Sequence, residues 1–258
     1  MQFQFSSFSV PLFVVSAISI LLVIYIWRQR NQSGAVGLFA LTLAGTIWAT
    51  GYAFEIAGTD LATKVFWAKI QYFGITTVPL SWLVFALQFT NRNRWLTPRN
   101  VILLGIIPFL TLALVLSNES HGSIWPDYQL DSTGPFLALE VSHGIGFWVY
   151  WIYSQVLVLA GTFLILRTLY RTQKVYQVQG RIILVAVLIP WFGNAVYLSG
   201  INPIPQLDLT PFGFVLSAIA LAWGVFRHRL VDLTPIAREI VIENLNDGVI
   251  VLDQETGL

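Results

Sequence analysis

Glu55, near the end of one long apolar run, and Lys69, about a turn into the next, are ionisable residues within membrane-length segments. Charged groups at such positions are costly to insert and usually serve a purpose. Trp48, Tyr52 and Glu55 follow one another at four- and three-residue spacing, so on a helix they share a face. Lys69 is followed by Tyr72, Phe73 and Thr76, which would stand above it on the next helix. The spacing suggests a polar, aromatic-walled pocket in which Glu55 and Lys69 face each other and could hold a ligand. A structural ion pair, or two side chains reaching to the interface, would use the same residues. Asn194, with Pro190 and Tyr197 on its face, would either unwind its helix and expose a carbonyl or bond a neighbouring helix.

Other chemistry is poorly supplied. His121, Glu119, Asp127 and His143 are potential zinc ligands, but they lack a tight ligand spacing, and an ordinary solvated loop explains them better. Of the ten tryptophans, Trp27, Trp95, Trp125 and Trp148 fall where an interfacial aromatic belt would lie. Trp48, Trp67, Trp82, Trp151 and Trp191 fall deeper, and Trp48 and Trp151 join the candidate ligand-binding set of Tyr52, Glu55, Lys69, Tyr72, Asn194 and Tyr197. There are no cysteines, paired catalytic carboxylates, nucleophile elbow or phosphate-binding loop. The last apolar run has no lysine for a Schiff base. Neither catalysis nor a cofactor is implied, and a net charge of +1 gives no reason to expect nucleic acid as a partner.

These residues must be positioned by membrane helices. Of the 258 residues, 56% are hydrophobic and 10% charged. Apolar windows of roughly 20 residues, the length that crosses a bilayer core, fall at Pro11–Trp27, Gly34–Ala57, Val65–Thr90, Val101–Ser117, Phe147–Leu169, Ile182–Ser199 and Leu209–Phe226. The sixth is interrupted by Pro190, Gly193 and Asn194. Lipid offers the backbone no hydrogen bonds, so these are helices, and the fold class is an all-α seven-helix membrane bundle. Twelve of the fourteen Lys and Arg residues follow spans one, three, five and seven; Lys64 and Lys69 fall toward the other side. The positive-inside rule then puts the N-terminus outside and the C-terminus in the cytoplasm. The longest loop, Asn118–Gly146, faces outward.

Beyond Arg229, Thr234 can cap a new helix with Pro235 in its first turn. Leu233, Ala237, Ile240 and Asn244 have the spacing of a coiled-coil seam, though a membrane-surface helix fits equally well. Val249–Leu252, between turn formers, reads as one strand of a sheet completed elsewhere.

The segments "WATGYAFEIAGTDLATKVFWAKIQYFGITTVPLSWLVFALQFTNR", "SNESHGSIW" and "LDLTPFGFVLSAIALAWGVFRHRLVDLTPIAREIVIENLNDGVIVLD" carry a resemblance that covers nearly the whole chain. It resembles the N-terminal seven-transmembrane input region of bacterial and archaeal sensor histidine kinases. The resemblance implies a sensory domain over 1–229, a cytoplasmic connector helix over 230–246 and the truncated start of a PAS domain over 247–258. It also implies a multi-pass protein of the prokaryotic cell membrane that relays an extracytoplasmic or intramembrane stimulus to kinase domains absent from this chain. The partners expected are the bilayer, an unidentified small-molecule or membrane stimulus and, in the full-length protein, a second copy. A small-molecule transporter or channel, with Glu55, Lys69 and Asn194 as its pathway, is the alternative reading.

Overall fold

A computed structural model of the chain describes residues 1–5, 7–31, 34–171, 174–199, 207–214, 216–217 and 220, with backbone only at 169, 171 and 174–180. Most of the seventh expected span, the connector helix and the terminal strand lie outside the described residues. The six helices are α1 (Ser9–Arg28), α2 (Ala35–Ala57), α3 (Leu61–Phe89), α4 (Pro98–Leu116), α5 (Ile145–Arg171) and α6 (Lys174–Ser199). Each is long and apolar enough to cross a membrane. The chain is helical again from Thr210, where Pro211 occupies the first turn. Between α4 and α5 lies an antiparallel hairpin, β1 (Tyr128–Asp131) and β2 (Ala138–Val141), with Tyr128 opposite Val141.

Local chemistry sets the helix ends. Asp60 caps α3: one carboxylate oxygen accepts the Thr63 amide at 2.8 Å and the other the Thr63 hydroxyl at 2.6 Å. These Thr63 bonds hold the Asp60 carboxyl down at about 2. Thr97 caps α4, with Pro98 in the first turn where a missing N–H is harmless. No side chain of its own caps α2; the Gly37 amide instead donates to Gln88 Oε1 of α3 at 2.9 Å.

Helix α3 sits at the centre, against α2, α4 and α5. Small residues let α2 and α3 approach closely. A Cβ on Gly74 would strike the Ala44 carbonyl and come within 2.8 Å of the Trp48 nitrogen. At the end of the bundle bearing Arg28 and Arg92, Leu22, Ile26, Leu38, Trp82, Phe85, Ile165 and Ile183 bring five helices into one core. By contrast α4 leaves Ile102, Leu103, Phe109 and Leu110 exposed, an apolar face suited to lipid.

Three helices contain an internal proline: Pro79 in α3, Pro108 in α4 and Pro190 in α6. Each removes the N–H that would bond the carbonyl four residues earlier, namely Ile75, Leu104 and Ala186. In each case a neighbouring helix supplies the missing donor. The Tyr150 hydroxyl of α5 donates to the Ile75 carbonyl at 2.7 Å. Tyr153, one turn further along α5, donates to the Leu104 carbonyl. Ser217, in the chain following Thr210, donates to the Ala186 carbonyl. Helix α6 is therefore continuous through Pro190, Gly193 and Asn194, which interrupt its apolar run but not the helix; of the two alternatives for Asn194, unwinding does not occur.

Because the Tyr150 hydroxyl replaces a helical N–H, its loss should depend on the proline. Tyr150→Phe should destabilise the bundle by roughly 1 kcal/mol, the scale of an intramembrane hydrogen bond. Pro79→Ala, which returns an N–H to the Ile75 carbonyl, should recover most of that loss in the double variant. Unfolding of the four proteins in detergent measures the coupling; strictly additive effects would contradict the pairing.

Candidate functional site

A cavity of about 250 Å³ runs between α2, α3, α5, α6 and the start of the seventh helix. Its walls follow helical periodicity. On α2 the face runs Gly45, Trp48, Tyr52, Glu55, and on α3 it runs Lys64, Ala68, Gln71, Tyr72, Ile75. Helix α5 adds Tyr150, Trp151 and Gln155, and α6 adds Trp191, Asn194 and Tyr197. Ring contacts close the sides: Trp48 packs on Phe214 with centroids 5.2 Å apart, and Tyr72 meets Trp125 edge-on at 5.4 Å.

The charged groups gather at the end nearer the hairpin. Glu55 accepts from the Gln71 side-chain amide through Oε2. Lys64, fully buried, donates to the Glu55 backbone carbonyl at 2.7 Å. It closes the C-terminus of α2, where carbonyls lack helical partners and a cation is favoured. Asp208 enters from the opposite wall. Its amide donates to the Tyr52 hydroxyl at 2.8 Å, and its Oδ1 accepts the Thr210 amide at 2.8 Å, opening the next helix. Desolvation pushes the Asp208 carboxyl up to about 6. Glu55, Asp208, Tyr52 and Tyr197 are close enough to act on one another electrostatically.

The loop from Asn118 to Gly146 covers this end. Asn118, 2% exposed, accepts the Ile124 and Trp125 amides at 3.1 and 3.0 Å and donates to the Trp125 carbonyl at 2.9 Å. One side chain thereby folds the turn and drives Trp125 inward. Ala138, Leu139 and Val141 of β2 and Phe136 at the hairpin tip line the cavity, and Phe136 reaches Phe8 before α1 at 5.2 Å. His143 lines it too, and burial lowers its pKa, which favours the neutral ring.

Of the residues singled out by sequence, Trp48, Tyr52, Glu55, Tyr72, Trp151, Asn194 and Tyr197 line the cavity. Lys69 does not. Five residues beyond Lys64, it is turned about 140° around α3, away from Glu55. Its ammonium bonds Glu119 at 2.6 Å and the Leu116 carbonyl at 3.1 Å, tying α3 to the end of α4; this bond holds the Glu119 carboxyl below its usual range. The expected Glu55–Lys69 pair is replaced by Glu55 with Gln71 and Lys64. Trp125, assigned to an interfacial belt, is buried in the protein at 3% exposure, and Trp191 lines the cavity and donates to Gln155 at 2.6 Å. The long loop is a folded cover rather than a solvated connection, and no metal-binding cluster occurs among the described residues. Lys64 and Gln71, seven residues apart, share a face of α3 and were accessible to a helical-spacing argument. Asp208 was not, because it reaches Tyr52 across 156 positions of sequence.

A double-mutant cycle separates the two arrangements. Lys69→Met and Glu119→Gln should couple by about 0.5–1 kcal/mol, as for a partly exposed ion pair. Lys69→Met and Glu55→Gln should be additive in thermal unfolding; measurable coupling between them would restore the facing pair.

No curated protein matches the chain. The family model for the N-terminal 7TM region of histidine kinase matches residues 11–235, taking in all six helices and the cavity. The chain thus belongs to the histidine kinase N-terminal seven-transmembrane family.

Proposed function

We propose that this chain is the stimulus-sensing part of a sensor histidine kinase, with the cavity as the place where the stimulus acts. The observation that carries the proposal is a polar-ended cavity whose wall includes the first turns of the last helix. Phe214 reaches Trp48, and Ser217 bonds α6 at the carbonyl freed by Pro190. A ligand favouring one packing of Phe214 against Trp48 would shift the seventh helix, since a ligand moves an equilibrium only by its difference in affinity for the two states. Residues 1–229 form the sensory domain, 230–246 the connector and 247–258 the opening of a PAS domain. In this reading the N-terminus and hairpin lie outside and the arginine-rich ends in the cytoplasm of a prokaryotic cell, which the distribution of Lys and Arg supports. Kinase domains beyond this chain, paired as a dimer, supply the output. Family membership favours this over a transporter or channel.

Orientation is open to direct test because the chain has no cysteine. Cysteines placed at Ser132 and Asn93 should differ: an impermeant thiol reagent on intact cells should modify the first and spare the second. Equal modification would overturn the topology.

The signalling role is tested in the full-length kinase. Phe214→Ala removes the ring that joins the cavity wall to the last helix. Autophosphorylation in nanodiscs should change severalfold while the protein remains folded by thermal unfolding. An unchanged rate would show that the cavity does not communicate with the kinase.

A further inference from the structure

By formal count the hairpin end of the cavity holds more acidic than basic side chains. Glu55 and Asp208 contribute two carboxylates, Lys64 one ammonium, and His143 is held toward its neutral form, leaving a formal charge of −1. Lys64 is already committed to the Glu55 backbone carbonyl. Each carboxylate gives the protein one oxygen, Glu55 Oε2 to Gln71 and Asp208 Oδ1 to Thr210. Both residues line the cavity. Tyr52 and Tyr197 stand beside them, and tyrosine faces attract cations. Deeper in the cavity the wall turns apolar at Trp48 and Phe214. Trp48 lies seven residues, about 10 Å of helix, from Glu55. The Trp48 and Trp151 indole N–H groups have no hydrogen-bond partner among the described residues.

We propose that the cavity binds a small organic monocation, its ammonium head between Glu55 and Asp208 and its apolar body against Trp48 and Phe214. Two carboxylates supply acceptors for an ammonium, and the aromatic walls take up cation and body together. An anion would meet the net negative charge, and a neutral molecule would leave it uncompensated. The ammonium chemistry is shared by free amines and by amine-bearing lipid headgroups. The proposal rests on the sensory reading for its biological consequence, but the binding itself is measured separately.

The test uses this chain in nanodiscs of phosphatidylglycerol, a lipid without an amine, followed by tryptophan fluorescence. Phenethylamine, protonated at neutral pH, is compared with 2-phenylethanol and phenylacetate, which keep the ring and change the charge. Phenethylamine should bind saturably, with the alcohol and the acid at least about tenfold weaker. Glu55→Gln and Asp208→Asn should each weaken the amine roughly tenfold, the scale of one hydrogen bond to a charged group. Should Glu55→Gln fail to fold, Asp208→Asn decides, because its Oδ1 can still accept the Thr210 amide. Equal binding of the three compounds, or full amine affinity in Asp208→Asn, would overturn the proposal. In phosphatidylethanolamine discs, a fall in amine affinity identifies a lipid headgroup as the competing cation, and unchanged affinity identifies a free amine. An amine that binds yet leaves full-length autophosphorylation unaltered would reject the sensory role of the cavity and leave its ligand chemistry standing.

Discussion

The bundle depends on one constraint: within a bilayer every backbone polar group must find its partner in the protein. Pro79, Pro108 and Pro190 each break the internal hydrogen bonding of a helix. Tyr150, Tyr153 and Ser217 each repair it from a different element. These bonds do more than satisfy carbonyls. Two of them lock α5 against α3 and α4, and the third fastens the start of the seventh helix to α6. Helix packing that lacks a hydrophobic driving force in lipid gains directional contacts at defined heights along the bundle. Pro79, Tyr150, Pro190 and Ser217 also line the cavity, so the repairs lie in its walls.

The same accounting explains the charges. Lys64 is buried because the end of α2 presents carbonyls without helical partners, and its ammonium takes one of them. Gln88 does the corresponding work for an amide at the start of α2. Glu55 and Asp208 are different. Each is bonded by local structure and also lines the cavity. The Asn118 turn and the hairpin then cover this corner with apolar residues, limiting its contact with water. Low polarity strengthens every electrostatic interaction inside.

Much of the site was legible from helical spacing alone. Trp48, Tyr52 and Glu55 on α2 and Tyr72 on α3 reach one cavity because residues three and four apart share a face. The pairing of Glu55 with Lys69 failed for the same geometric reason. Similar depth in the membrane does not imply the same azimuth, and Lys69 points toward α4. Trp125 was misplaced because position in a loop says nothing about folding; Asn118 buries it through bonds that span only a few residues but depend on the exact turn. Ser217, which meets the carbonyl freed by Pro190, belongs to another element and was not legible from the α6 segment alone.

The sequence by itself determined the membrane class, the extents of five helices to within a few residues and the family. These properties depend on the length, hydrophobicity and order of residues along one dimension, where bilayer thickness and the cost of unpaired backbone leave little choice. The tertiary structure alone decided which groups meet. Glu55 shares its corner with Gln71, Lys64 and Asp208, three carbonyls find hydroxyls on other helices, and a loop becomes a cover. Those contacts join residues up to 156 positions apart. They depend on helix rotation and packing order, quantities that periodicity within a single helix does not contain.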